Sequence, residues 1–153
     1  MDNENQIIFK SKFGNIKIES KEDQITHLAF TNKNLINSKS KILNNVKNQI
    51  EEYFFIKRKK FSIKIDLQGT QFQKKVWQQL ELIPYGKIST YLKIAKILNT
   101  SPRAIGNACS KNSILILIPC HRVIASNGNL SGFSALGGSN TKKKLLNHEN
   151  IKI

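Results

Sequence analysis

The sequence predicts an α+β protein with two lobes, and three features of its apolar pattern support this fold class. Residues 1–66 begin with alternating apolar positions typical of short strands, and a helical stripe follows from Ser40. Residues 67–153 contain several short segments with helical spacing. Of the 153 residues 39% are apolar, with 8 glycines and 3 prolines, so a hydrophobic core can hold the fold.

The pattern in residues 1–66 predicts a small sheet followed by one helix. Apolar residues at helical spacing predict a helix from about Ser40 to Phe54, and alternation over 61–65 then predicts another strand. The earlier strands, joined as hairpins or a meander, are expected around 7–9, 16–18 and 25–30.

Residues 67–153 carry start and stop signals of helices. The run Thr70-Gln71-Phe72-Gln73 has the pattern of a capping box, and it begins a helix that we expect to bury Trp77. Ile83-Pro84-Tyr85-Gly86 fits a turn with Pro second and Gly fourth. A final amphipathic helix is predicted over about 141–149.

Between these segments lies the pattern of a helix-turn-helix. Ser89-Thr90 can cap a helix that runs to about Leu98. The segment Asn99-Thr100-Ser101-Pro102 then ends this helix. A second short helix is predicted over 103–109. The pair has the layout of many DNA-binding modules.

The charge of the chain favours a polyanionic partner. Lys and Arg number 25 against 10 Asp and Glu, a formal charge of +15. The chain is also rich in Lys, Asn and Ile, as an AT-rich genome produces, and we ascribe about half of the excess charge to that bias. Arg58, Arg103 and Arg122 are the three arginines, and guanidinium geometry gives a reason to keep an Arg in a Lys-rich chain.

The remaining composition bounds the location and the chemistry. The first residues are polar and acidic, and no apolar stretch approaches the roughly 20 residues that span a bilayer, so we expect a cytoplasmic protein without membrane contact. The two cysteines, Cys109 and Cys120, cannot build a disulfide framework or a four-ligand metal site. We expect no metal and no cofactor.

Cys120 is the strongest candidate for a chemical role. The apolar run 114–118 predicts a buried extended segment that leads to it, and Pro119 restricts the backbone just before it. A free thiol has a pKa of about 8.5 and is mostly protonated at neutral pH, whereas the thiolate is the nucleophile. A nucleophilic Cys120 therefore needs a base or a positive charge nearby.

His121 is the nearest base. Neighbours in an extended chain point to opposite sides, so we expect a water to relay the proton between Cys120 and His121. His121 then needs an acceptor for its far nitrogen, for which Glu149 is available, although Glu149 alone is more simply a surface acid.

Seven motifs occur in order between residues 69 and 149, and together they resemble the O6-alkylguanine-DNA alkyltransferases, which are single-use DNA repair proteins. The motifs are Gly69-Thr70-x-Phe72-Gln73-x-x-Val76-Trp77, Ile83-Pro84-Tyr85-Gly86, Ser89-Thr90-Tyr91, Arg103-Ala104-Ile105-Gly106-Asn107-Ala108, Lys111-Asn112, residues 118–124, and Leu145-Leu146-x-His148-Glu149.

The resemblance implies a ribonuclease-H-like α/β lobe over 1–66 and a winged-helix-like lobe over 67–153 that binds DNA and accepts the alkyl group. It implies that the protein flips O6-methylguanine out of duplex DNA and transfers the alkyl group irreversibly to Cys120, and we expect the same for O4-methylthymine. We expect a monomer that acts once. Some relatives bind zinc in the N-terminal lobe, but this lobe has no cysteine and a single histidine, His27.

The same resemblance implies roles for individual residues. Cys120 is the acceptor, joined through water to His121 and Glu149. Asn112 holds this arrangement, and Tyr91 donates a hydrogen bond to the departing guanine. Arg103 enters the duplex and fills the space of the extruded nucleotide. The other implied contacts are Thr70, Ala104, Gly106 and Tyr91 with DNA, and the Val123 carbonyl and Ser134 amide with the base.

Other functions fit parts of the sequence. A non-enzymatic lesion-binding protein of the same fold would differ by lacking the cysteine at position 120. A cysteine hydrolase usually draws Cys and His from distant segments, and no oxyanion-hole motif accompanies Cys120. A DNA-binding regulator fits the helix-turn-helix alone. By periodicity, Tyr91 is a core aromatic, and Cys109 is most simply a buried helix residue.

Overall fold

The computed structural model describes residues 4–130 and 135–153. The chain divides into two units, Met1–Leu67 and Gln68–Ile153, one residue beyond the boundary expected from the sequence. None of the helices in the described ranges has the length and apolar character needed to cross a bilayer.

The N-terminal unit contains the predicted sheet and helix. Its antiparallel strands pair in the order β1-β2-β3, and alternate residues such as Ile16 and Ile18 are fully buried. Helix α1, capped by Ser40, packs against β1 and β2. The elements are β1 (Gln6–Ser11), β2 (Gly14–Lys21), β3 (Gln24–Thr31) and α1 (Lys41–Phe54). The sheet and the helix are thereby confirmed.

The strand predicted over 61–65 is wrong. Within this described segment Ile65 alone forms a bridge, with Ile25 of β3. The buried side chain of Gln49 accepts a hydrogen bond from Ser62 N at 3.0 Å and donates one to Ser62 O at 3.2 Å. Because a side-chain amide satisfies this backbone, the segment does not need a neighbouring strand.

The C-terminal unit combines four helices with a short parallel sheet in the part that the structure describes. The helices are α2 (Gln71–Glu81), α3 (Tyr91–Leu98), α4 (Pro102–Ser110) and α5 (Gly138–His148). The sheet pairs β4 (Ser89–Thr90) with β5 (Val123–Ile124). Helix α5 begins three residues before its predicted start.

The helix starts and the helix-turn-helix pair are confirmed. Thr70 and Gln73 form the expected capping box at the start of α2. Thr90 caps α3 and Ser101 caps α4, while Asn99 ends α3 in the left-handed conformation, with φ of 55°. Helices α3 and α4 pack against each other.

Trp77 is buried, as predicted, and joins α2 to α4. Its indole Nε1 donates a hydrogen bond to the Ala108 carbonyl at 3.0 Å. The indole ring also leaves no room for a side chain at Gly69, the residue before the capping box. A Cβ there would lie 2.5 Å from Trp77. Glycine at position 69 therefore lets the chain pass over the indole.

The turn after α2 is shifted by one residue from its predicted position. Lys87 N donates to Pro84 O at 3.1 Å, so the turn runs from Pro84 to Lys87. Gly86 is then the third residue and has φ of 78°. A turn with positive φ at its third position favours glycine there, which explains the shift.

The apolar run 114–118 is buried, as expected, but the prediction that it is extended is wrong. Ile118 N donates to Ile114 O at 3.1 Å, and Ile116 has a left-handed φ of 69°. The run therefore folds back on itself, and a 3₁₀ helix, Cys120–Arg122, follows Pro119. Apolarity over five residues indicates burial but does not distinguish a strand from a tight turn.

We expect Thr70→Ala to lower the free energy of unfolding by about 1 kcal/mol, because it removes the side chain that accepts from Gln73 N at the start of α2. Urea denaturation measures this change. Thr70→Ser keeps the hydroxyl and is the matched control. Equal destabilisation by both variants would contradict the capping role.

Candidate active site

Cys120 is a buried thiol at the start of the 3₁₀ helix. Its backbone N donates to Ile118 O at 2.8 Å, which holds the residue against the preceding turn. Burial raises the pKa of the Cys120 thiol, while a hydrogen bond with the Asn112 side chain and the positive charge of Lys142 act to lower it. The thiol is therefore neutral at rest and must lose its proton to react as a nucleophile.

Asn112 ties the turn before Cys120 to the end of α4. Its Nδ2 donates to Ile118 O at 2.8 Å, and its Oδ1 accepts from Ile114 N at 2.9 Å. One buried amide thus closes both ends of the 114–118 turn. The position of the Cys120 sulfur depends on this amide.

His121, the residue after Cys120, forms a buried pair with Glu149. His121 Nε2 lies 2.7 Å from Glu149 Oε2. Burial lowers the pKa of His121, although the hydrogen bond and charge of Glu149 act to raise it. When Nε2 carries the proton that it donates to Glu149, Nδ1 is the nitrogen that can accept another.

Glu149 is 1% exposed, so the simpler interpretation of it as a surface acid is wrong. Burial acts to raise its pKa, but the hydrogen bonds and charges of His121 and Arg122 outweigh burial and hold it well below the usual range. The carboxylate is therefore ionised at neutral pH. It can orient His121 and stabilise a positive charge on its ring.

Arg122 is a site residue that the sequence did not identify. Its Nε donates to Glu149 Oε1 at 2.7 Å, and its Nη2 donates to Glu149 Oε2 at 3.0 Å. Its Nη1 donates to Ile83 O at 2.7 Å. The available signal was the retention of an arginine next to His121 in a lysine-rich chain.

Lys142 of α5 is a second residue that the sequence analysis missed. It is 1% exposed, and its Nζ lies 3.2 Å from the Tyr91 hydroxyl and 5.5 Å from the centre of the Tyr91 ring. Burial lowers the pKa of Lys142, while Cys120 and Cys109 act to raise it. Its spacing from Leu145 and Leu146 places it on the inward face of α5, and this spacing could have indicated burial.

Tyr91, the first residue of α3, is half-buried. Burial, followed by the nearby Cys109 and Cys120 thiols, raises its pKa to about 12. The phenol therefore stays protonated at neutral pH and can serve as a hydrogen-bond donor. Its hydrogen bond with Lys142 connects α3 with α5.

Cys109 is a buried residue of α4, as its simplest interpretation predicted. Burial raises its pKa to about 12, and Cys120 adds to this effect while Lys142 opposes it. A thiol with so high a pKa is a poor nucleophile at neutral pH.

Apart from Tyr91, the residues with an expected DNA role lie on α4 or at the start of α2, outside the buried cluster. Arg103 is exposed in the first turn of α4, and Ala104 and Gly106 on the same helix are half-buried. A Cβ at Gly106 would meet Tyr91 at an ordinary 4.0 Å, so packing within the chain does not require glycine there. Thr70 is exposed at the start of α2.

The expected base contacts are only partly described. Val123 is fully buried in β5, where it pairs with Ser89. Ser134 lies outside the described residues. Across 4–130 and 135–153, no group of three or more His, Cys, Asp or Glu side chains is arranged to hold a metal ion.

Comparisons with known proteins match both units of the chain. Residues 6–67 match the family described as "6-O-methylguanine DNA methyltransferase, ribonuclease-like domain", and residues 71–151 match "6-O-methylguanine DNA methyltransferase, DNA binding domain". The chain is 38% identical over 156 residues to the constitutive methylated-DNA–protein-cysteine methyltransferase of Bacillus subtilis, with 93% of each chain covered.

Solved structures are similar over nearly the whole chain. The O6-methylguanine methyltransferase of Mycobacterium tuberculosis has a TM-score of 0.86 at 30% identity, covering 97% of this chain and 94% of that one. OGT of the same organism in complex with DNA has a TM-score of 0.83 at 30% identity, covering 95% of this chain and 92% of that one. The predicted two-lobe α+β fold class is confirmed by these matches.

We expect Glu149→Gln to destabilise the protein at pH 7 by about 3–5 kcal/mol, because it leaves the buried Arg122 charge without its carboxylate. The folded-state pKa of Glu149 is depressed, so its contribution is present above the unfolded pKa of about 4.3 and is lost as pH falls below it. Denaturation curves at stepped pH values measure the difference between the two proteins. A difference that stays constant from neutral pH to below pH 4 would contradict the ionised carboxylate.

Proposed function

Because this chain belongs to the 6-O-methylguanine DNA methyltransferase family, we propose that it repairs double-stranded DNA by transferring the alkyl group of O6-alkylguanine to its own Cys120. The buried Cys120 thiol beside the His121–Glu149 pair carries this proposal. The protein acts as a monomer in the cytoplasm, without a metal or cofactor. O4-methylthymine is a second substrate.

The reaction is a single displacement at the alkyl carbon. The Cys120 sulfur forms a bond to that carbon, and the bond from the carbon to the guanine oxygen breaks with its electron pair going to the base. The thiol proton passes through a water to His121 Nδ1, and Glu149 stabilises the imidazolium that results. The Tyr91 hydroxyl donates its proton to the departing guanine anion, and Lys142, which donates to that hydroxyl at 3.2 Å, replaces it.

Burial of the site favours this coupled transfer. Burial keeps the Cys120 thiol neutral at rest, so its proton leaves as the new bond forms. Tyr91 and Lys142, whose hydroxyl and ammonium lie 3.2 Å apart, supply donors for the negative charge that develops on the base. The product thioether is not hydrolysed by water, so each molecule acts once.

The charge distribution of the C-terminal unit fits a DNA partner. Residues 68–153 contain 12 Lys and Arg against two acids, Glu81 and Glu149. Arg122, Lys142 and Glu149 are buried, which leaves ten basic side chains and Glu81 outside the core. This excess favours contact with phosphates and makes binding salt-dependent.

In this proposal, helix α4 enters the duplex from the minor groove. Arg103 is exposed in its first turn and fills the space left by the flipped nucleotide. The small side chains of Ala104 and Gly106 allow the backbone to approach the minor groove, and Thr70 contacts the phosphates from the start of α2. The base is held by the Val123 carbonyl and the Ser134 amide.

We expect Cys120→Ala to abolish alkyl transfer while DNA binding is retained. The assay mixes the protein with duplex DNA carrying one O6-methylguanine and maps the added methyl group by peptide mass spectrometry. Cys109→Ala, which removes the other buried thiol, is the matched control and should transfer normally. A methyl group on the Cys109 peptide, or on none, would overturn the proposed function.

We expect Arg103→Ala to slow transfer from duplex DNA by at least about tenfold, because flipping costs a few kcal/mol that this side chain helps to offset. Transfer from O6-methylguanine as the free base, which needs no flipping, should be unchanged. Lys111→Ala, which removes an exposed cation just after α4, is the control. Undiminished repair of duplex DNA by Arg103→Ala would remove this residue from the flipping step.

A further inference from the structure

We propose that Arg122 is a positioning residue of the transfer reaction, which holds Glu149 in the orientation that aligns His121 and which keeps His121 a neutral proton acceptor. The inference deepens the proposed function and rests on it. The side-chain hydrogen bonds of Arg122 go to Glu149 and Ile83. It acts through Glu149 and His121.

Arg122 fixes the orientation of the Glu149 carboxylate. The guanidinium meets both carboxylate oxygens of Glu149, at 2.7 and 3.0 Å, and so prevents rotation of the carboxylate. The Oε2 atom that receives Arg122 Nη2 also pairs with His121 Nε2 at 2.7 Å. The orientation of the imidazole is therefore set through this shared oxygen.

Arg122 is itself held from a third direction. Its Nη1 donates to Ile83 O at 2.7 Å, and its guanidinium lies 5.9 Å from the centre of the Tyr85 ring. The Tyr85 hydroxyl donates to His148 O at 3.3 Å, and Gly86 N donates to Glu149 Oε1 at 3.4 Å. These contacts join the turn after α2 to the end of α5 around one guanidinium.

The charge of Arg122 also affects the protonation of His121. An imidazolium facing Glu149 alone would form a buried pair without net charge, and the carboxylate would favour protonation of His121. With Arg122 present, the carboxylate is already balanced, and a second positive charge at His121 is opposed. His121 therefore remains able to accept a proton from Cys120.

Among the charged groups that act on the pKa of His121, those other than Glu149 oppose its protonation. Lys142 from α5 adds a positive charge, which lowers the pKa of His121 together with burial and Arg122. Cys120 is neutral at rest. The buried residues of α2, which also packs against the 3₁₀ helix, are Val76, Trp77 and Leu80. Glu149 is thus the one group in this set that favours the imidazolium.

The test measures the rate of methyl transfer to Cys120 as a function of pH for Arg122→Met and Arg122→Lys. Met removes the charge, so His121 becomes more basic, and the acid limb of the rate profile should move to higher pH. Lys keeps the charge but loses the paired donors, so the acid limb should stay near its original pH while the maximal rate falls by at least about tenfold. Arg58→Met, which breaks the Arg58–Glu52 pair, is the matched control.

The single variant Arg122→Met leaves the buried Glu149 carboxylate without its guanidinium and could unfold for that reason. The double variant Arg122→Met with Glu149→Gln removes both charges of the pair and serves as the second test. We expect it to fold, to transfer slowly, and to return the acid limb to the original pH or below. Unchanged profiles and rates in both single variants would overturn the role of Arg122, as would an acid limb that stays at high pH in the double variant. If the unaltered protein itself places no methyl on Cys120, the proposed function fails instead.

Discussion

The buried carboxylate of Glu149 is the constraint on which the rest of the site depends. Its side chain is fully enclosed, and an ionised group can be enclosed only when partners replace its water. Arg122, His121 and the amide of Gly86 supply those partners. Because the partners come from different segments, satisfying this one charge brings together the turn after α2, the 3₁₀ helix and the end of α5.

The Cys120 thiol is enclosed by a second set of polar side chains. Asn112 closes the turn before Cys120 through its bond to Ile118 O. Lys142 of α5 and Tyr91 of α3 are hydrogen-bonded to each other. Burial raises the pKa of this thiol and keeps it protonated. The same low-dielectric surroundings strengthen the hydrogen bonds that Asn112 and Lys142 make here.

Local signals predicted the elements well where they were specific. The capping hydroxyls of Thr70 and Thr90 define helix starts because each bonds to a backbone N–H three residues ahead. Prediction was wrong where a short pattern admitted two conformations. The 61–65 segment alternates like a strand but is bonded to Gln49, and the 114–118 run is apolar like a strand but folds into a turn.

By itself, the sequence determined the helices, the three-stranded sheet and the candidate thiol at Cys120, since these follow from periodicity, capping and a local motif. The tertiary structure alone decided that Glu149 is enclosed and that Arg122 and Lys142 belong to the site. Glu149 meets His121 across 28 positions, and Lys142 meets Tyr91 across 51. Burial and charge pairing over such separations arise from packing, so the retained arginine at 122 and the inward spacing of Lys142 on α5 could suggest these contacts but not specify them.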